Sequence, residues 1–237
     1  MANVVVKSNL KLYPWQTQVL HELKDSWRGY IHVIKSKRQV GKSILLQTIL
    51  LQTAINKSKS TSILLSPTVE QARKIFNSCK AVIQPTPIYL RHNDTQLYLK
   101  LKNGSEILFR YCNAEKDLNN FQGVQFDIRF VDEATQLLQE WIEKIGACVR
   151  GVNDFPKRMY YTMNPGGASH GYFKRIFIDK KYEQGEHPED YTFIQALVTD
   201  NKALMASQPE YIKELEALPP KLRDAWLYGR WDIFEGQ

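Results

Sequence analysis

Long apolar runs are missing from this sequence. No stretch reaches the ~18 apolar residues that a membrane helix requires, and the opening MANVVVKSNLKLYPWQ lacks the apolar core of a secretory leader. Cysteine is scarce, with three residues (Cys79, Cys112 and Cys148) in 237. They are odd in number, far apart and form no CxxC pair, which argues against a disulfide framework or a thiolate zinc site. They fit a protein folded in a reducing, cytoplasmic compartment. Internal repeats and low-complexity tracts are absent as well. Charge is unbalanced: 32 Lys and Arg against 25 Asp and Glu leave a formal +7. That surplus is compatible with a polyanionic partner without identifying one. Hydrophobic residues at 43% and charged residues at 24% are ordinary for a globular protein, and the length suits one large domain or a domain with a small appendage.

What is present is an alternation of strand and helix patterns. After Pro14, the residues Trp15, Val19, Leu20, Leu23 and Trp27 have helical spacing. Residues 30–34 read as a buried strand, 44–55 as a helix, 62–66 as a strand closed by Pro67, and 68–83 as a helix. Asn103-Gly104 supplies positive φ for a tight hairpin between 96–102 and 105–111. Strands follow at 126–131 and 158–163 around a helix at 136–149, then a strand at 191–198 and helices near 209–218 and 221–228. The pattern predicts an α/β fold with a mostly parallel central sheet flanked by helices. Residues 1–170 are expected to form the core and 171–237 a smaller lid-like unit.

The strongest local signal is KSKRQVGKS at 35–43, between a buried strand and a helix. Backbone N–H groups and a helix N-terminus converge on phosphate oxygens in that context. Lys42 would reach the phosphates as a point charge, Ser43 would ligate Mg²⁺, and Gly41 permits close backbone approach. The usual pattern begins with Gly, whereas Ser36 stands here. The tripeptide GKS alone favours a basic, solvated turn; with the flanking strand and helix, phosphate binding is favoured.

A second signal is FDIRFVDEA at 126–134, an apolar strand ending in two carboxylates. An acid at the carboxyl edge of a parallel sheet lies beside such a loop. Asp132 would hold Mg²⁺ and Glu133 would orient the attacking water. The plainer reading is that both acids cap the next helix, which does not exclude catalysis. Arg129 interrupts the apolar run and points to a ligand, a neighbour or solvent. At the end of 158–163, Thr162 or Asn164 would sense the γ-phosphate, or the segment is merely a strand exit with Asn164 bonding its own backbone.

With these segments in place, the chain resembles the N-terminal ATPase domain of the large terminase subunit of tailed bacteriophages. The resemblance covers nearly the whole chain. It rests on YPWQ at 13–16, the KSKRQVGKS loop, VDEA, TMNPGG followed by His170, and the terminal LYGRWDIFEGQ. It implies a P-loop NTPase of the additional-strand type with a small C-terminal lid, working on ATP and Mg²⁺. Gln16 is then an adenine contact, and the loop residues Ser36, Lys37, Arg38, Gln39, Val40, Gly41, Lys42 and Ser43 bind ATP. Lys42, Arg38 and Glu133 are catalytic, Ser43 and Asp132 hold the metal, and Thr162 to Pro165 couple hydrolysis to movement. The implied partners are double-stranded DNA, a portal protein and a small terminase subunit. A homo-oligomeric ring on the procapsid is expected, monomers in isolation, and action in the cytoplasm of an infected bacterium.

In such proteins a nuclease follows the ATPase domain. This sequence ends near where that linker begins, so no DNA cleavage by these residues is expected. Some relatives carry an Arg before the Gly that precedes the acidic strand, acting on a neighbour's ATP; here Gln122 stands there. Arg38, Arg129, Arg150 and Arg158 are the candidate substitutes. The Lys-rich stretches 57–59 and 174–181 are candidate DNA contacts, against a solvated charged face. The rival readings are a helicase-like or remodelling ATPase and a nucleotide-binding module that does not hydrolyse; intact Lys42, Ser43, Asp132 and Glu133 argue against the latter.

Overall fold

The computed structural model describes residues 16–17, 31–36, 41–155 and 157–234, with backbone only at 31–36, 202–203 and 234. The helix expected after Pro14 therefore lies outside the described residues, save Gln16 and Thr17. So do the loop residues Lys37, Arg38, Gln39 and Val40.

Eight strands form one sheet: β1 (Ile31–Ser36), β2 (Thr61–Ser66), β3 (Tyr89–Asn93), β4 (Tyr98–Leu101), β5 (Glu106–Tyr111), β6 (Ile128–Val131), β7 (Arg158–Met163) and β8 (Tyr191–Ala196), in the spatial order β3-β4-β5-β2-β6-β7-β1-β8. From β5 to β8 every pairing is parallel; β3-β4-β5 is an antiparallel extension at one edge. β7 sits between β1 and the acidic strand β6, the position of the additional strand. The helices are α1 (Lys42–Asn56), α2 (Val69–Ile83), α3 (Gln139–Gly146), α4 (His170–Phe173), α5 (Lys202–Ser207), α6 (Tyr211–Glu216) and α7 (Pro220–Trp226).

Burial explains why the central strands read as unbroken apolar runs. Side chains alternate across a strand, so Leu64 faces a core with Leu46, Leu50, Phe76 and Phe109 under α1 and α2. Its neighbours Ile63 and Leu65 face a second core with Val131, Trp141, Ile145 and Phe173 under α3 and α4. Both faces are covered, as a parallel sheet requires. A third, small cluster of Ala196, Val198, Leu215 and Leu227 joins the end of β8 to α6 and α7.

Three differences from expectation have physical reasons. The sequence pattern does not predict β3, because an edge strand needs few apolar residues; Leu90, Arg91 and Asn93 are exposed. α3 spans eight residues rather than 136–149, because Glu133 adopts a left-handed backbone (φ 51°, ψ 47°) and a 3₁₀ turn (Ala134–Gln136) follows it. β8 lies beyond the boundary expected at residue 170, yet pairs along its length with β1. The hairpin turn is as read: Gly104 has φ +88°, and Asn103 Nδ2 donates to Ala54 and Ile55 carbonyls at the end of α1.

α2 opens with a capping box. Thr68 Oγ1 accepts from Gln71 N, and Gln71 Oε1 accepts from Thr68 N, both at 3.2 Å. Thr68→Ala should lower unfolding free energy by about 1 kcal/mol, read from urea denaturation.

Candidate functional site

Parallel strands release their carboxyl ends at one edge of the sheet, and Lys42, Ser43, Asp132, Glu133, Thr162 and Asn164 meet there. α1 begins at Lys42, directly after Gly41, which has a left-handed φ of 86° that disfavours a side chain. Among the described residues no side chain caps this helix, and no acid occupies its first turn. A fifteen-residue helix thus presents its N-terminal N–H groups to whatever anion lies beyond them. Ser43 Oγ lies 3.1 Å from both carboxylate oxygens of Asp132 at the end of β6. Lys42 Nζ donates to Asn164 Oδ1 at 2.6 Å and to the Met163 carbonyl at 3.2 Å, at the end of β7. Gln16, 1% exposed, donates through Nε2 to the Gly41 carbonyl at 3.2 Å.

Thr162 is fully buried between the acids: its Oγ1 donates to Asp132 Oδ1 at 2.6 Å and accepts from Glu133 N at 3.0 Å. Its hydroxyl therefore locks the two carboxylate-bearing residues to β7. Asn164 does not bond its own backbone as the plainer reading had it; its Oδ1 receives Lys42, and its carbonyl accepts from Thr135 Oγ1 at 2.9 Å.

Nor does Glu133 cap the turn that follows, since no side-chain cap bond forms there. Instead its Oε2 accepts from two amides, Gln71 Nε2 at 3.2 Å and Gln136 Nε2. Glu133 Oε1 has no partner among the described residues, so one carboxylate oxygen is anchored and the other is left to act. Gln71 and Gln136 were not singled out in the sequence. The T-x-x-Q signature at 68–71 marks a helix start, and nothing local tells that the same amide reaches an acid 62 residues away.

The donor set suits a magnesium nucleotide. Mg²⁺ takes oxygen ligands, keeps several waters and uses few carboxylates, and this edge brings the Ser43 hydroxyl to the Asp132 carboxylate. An ammonium and an uncapped helix N-terminus supply the positive side.

Two of the candidate arginines do not qualify to reach another subunit. Arg129, 1% exposed, donates to the Ile142 carbonyl and to Tyr161 OH, which resolves its direction: it points to neighbours within the fold. Arg158 is buried too, with Nη1 3.4 Å from Tyr160 OH. Arg150 is exposed after α3, and Gln122 bonds Asn119 at 3.2 Å; Arg38 lies outside the described residues. The basic stretch 174–181 is partly neutralised: Lys174 pairs with Asp179 at 3.1 Å and Asp232 at 3.4 Å, and Arg175 with Glu186 at 2.6 Å.

Fold and edge together define an α/β fold of the P-loop NTPase type, in which an additional strand separates the strand before the phosphate loop from the acidic strand. The family model described as "Terminase large subunit, T4likevirus-type, N-terminal" matches residues 35–236. The chain belongs to that family. Among solved structures it is similar to the large terminase of a thermophilic bacteriophage (TM-score 0.76, 15% identity, 94% of this chain and 54% of that one). That terminase has also been crystallised with ADP and with ATP-gamma-S. The large terminase ATPase domain of Thermus phage P74-26 matches at TM-score 0.67 and 17% identity, covering 93% of this chain and 94% of that one. The HK97 bacteriophage large terminase matches at TM-score 0.68 and 14% identity, covering 95% and 52%. The chain thus spans about half the length of the first and the last of these three terminases. No curated protein sequence matches significantly.

Proposed function

We propose that this chain is an ATP-hydrolysing motor domain that drives double-stranded viral DNA into a procapsid. The observation that carries the reading is the meeting of Ser43, Asp132 and Lys42 at one sheet edge, in a member of the large terminase family. In this reading Ser43 and Asp132 hold Mg²⁺, and the N–H groups opening α1 receive phosphate oxygens. Lys42 moves its ammonium from Asn164 and Met163 to the same phosphates. Glu133, steadied through Oε2, takes a proton from water through Oε1. Bound Mg²⁺ supplies charge neutralisation and orientation of the phosphates. Gln16 and the loop residues Ser36, Lys37, Arg38, Gln39 and Val40 complete the ATP contacts, with Arg38 or Arg150 the remaining sources of a charge acting between subunits. The unit around α5, α6 and α7 serves as the lid. The partners are DNA, a portal protein, a small terminase subunit and further copies in a ring docked on the procapsid in the host cytoplasm.

Titration with ATP-gamma-S tests the site. Affinity should require Mg²⁺, and Lys42→Ala should weaken it about tenfold, the loss expected when a charge-assisted hydrogen bond is removed. Absent binding, or binding indifferent to Lys42, would overturn the assignment. Packaging of DNA by procapsids supplied with the protein and ATP tests the motor role.

A further inference from the structure

Two motifs remain unused by the site described so far: His170, and the Gly-Arg-Trp at 229–231. The structure joins them. The Gly166 N–H donates to His170 Nδ1 at 2.9 Å. A backbone N–H can only donate, so Nδ1 carries no proton and the ring proton sits on Nε2. Nε2 then donates to the Trp231 carbonyl at 3.0 Å. The imidazole also lies flat on the Trp231 indole, with centroids 4.8 Å apart and planes at 14°. Both rings are buried. Lys174, just past the same helix, reaches Asp232 at 3.4 Å, a second tie to that segment.

The other end of this chain of contacts is the nucleotide site. Asn164, two residues before Gly166, seats the Lys42 ammonium, and its carbonyl is held by Thr135. The turn between has little slack. Gly166 and Gly167 both have positive φ (91° and 96°), and a Cβ on Gly167 would lie 2.4 Å from the Thr135 carbonyl oxygen. Backbone pressed this closely against residue 135 transmits a displacement instead of absorbing it.

We propose that His170 is a positioning residue that links the 164–167 turn to the segment 231–234, so that occupancy of the nucleotide site is felt at Trp231. The inference rests on the preceding reading of Lys42. When the ammonium goes to phosphate, Asn164 Oδ1 and the Met163 carbonyl lose their charged donor, so the turn has different contacts in the two states. A differential contact of this kind is what a ligand-driven shift requires. His170 is the group that carries the change across 61 residues of sequence to Trp231.

Hydrogen exchange read by mass spectrometry, with and without Mg²⁺ and ATP-gamma-S, tests this. In the wild-type protein nucleotide should change exchange severalfold in peptides covering both 162–170 and 226–233. His170→Phe keeps a ring to stack on Trp231 but has neither acceptor nor donor. It should retain nucleotide binding and the response at 162–170, and lose the response at 226–233. Failure of the wild type to bind nucleotide overturns the site reading and the coupling with it. Binding without a response at 226–233, or a response that survives His170→Phe, overturns the coupling alone. Should the Phe variant not fold, His170→Asn, which keeps an acceptor near Nδ1 and gives up the Nε2 donor, is read by the same criterion.

Discussion

Glu133→Gln is expected to slow ATP turnover by about 10²–10⁴-fold, the usual weight of a positioned proton acceptor, with little change in affinity for ATP-gamma-S. Glutamine matches glutamate in size, and the backbone that places residue 133 stays intact, with its N–H on Thr162 Oγ1. Of the groups assigned to phosphate and metal, Ser43 bonds Asp132, and Lys42 bonds Asn164 and Met163 at the end of β7, none of these contacts using the Glu133 side chain. Loss should therefore fall on kcat and spare binding. Phosphate release followed at saturating ATP, beside a titration, separates the two. Turnover close to the wild-type rate would remove Glu133 from the chemistry.

The second large effect concerns a residue that never touches nucleotide in this reading. Gln71→Glu should lower kcat by about 10²-fold, comparable to the removal of one preorganised donor in an active site, while the melting temperature stays near that of the wild type. Gln71 does two things at once: its Oε1 accepts from Thr68 N to cap α2, and its Nε2 donates to Glu133 Oε2. A glutamate keeps the first role, and an acid in a first helical turn is favourable. In place of the second it sets a like charge beside the Glu133 carboxylate. Gln71→Ala loses both roles and should cost stability and rate together. If Gln71→Glu hydrolyses ATP normally, the amide is only a cap.

Much of this architecture is legible in the residues themselves. β2 and β6 announce burial on both faces because TSILLS and IRFV admit hardly any alternation. β7 coincides with the expected 158–163. KSKRQVGKS and VDEA mark the ends of two strands, and parallel topology alone brings such ends to one edge. What stayed hidden depends on contacts between distant residues. Arg129 breaks an apolar pattern, and only the fold reveals that Ile142 and Tyr161 receive it. Gln71 and Gln136 look like surface glutamines until β6 delivers Glu133 between them. β3 escapes notice because a partner on one side suffices for an edge strand. The His170–Trp231 stack joins segments with no common periodicity.

The sheet order has one more consequence. β1 and β6 are not neighbours; β7 lies between them, so their backbones are two inter-strand spacings apart, roughly 10 Å. β7 fills that gap as far as Met163, and Thr162 and Asn164 at its end bond the acids on the β6 side and Lys42 on the β1 side. β8 is paired with β1 along its whole length and β2 with all of β6, so a displacement of either strand at this edge would be shared with the strand beyond it.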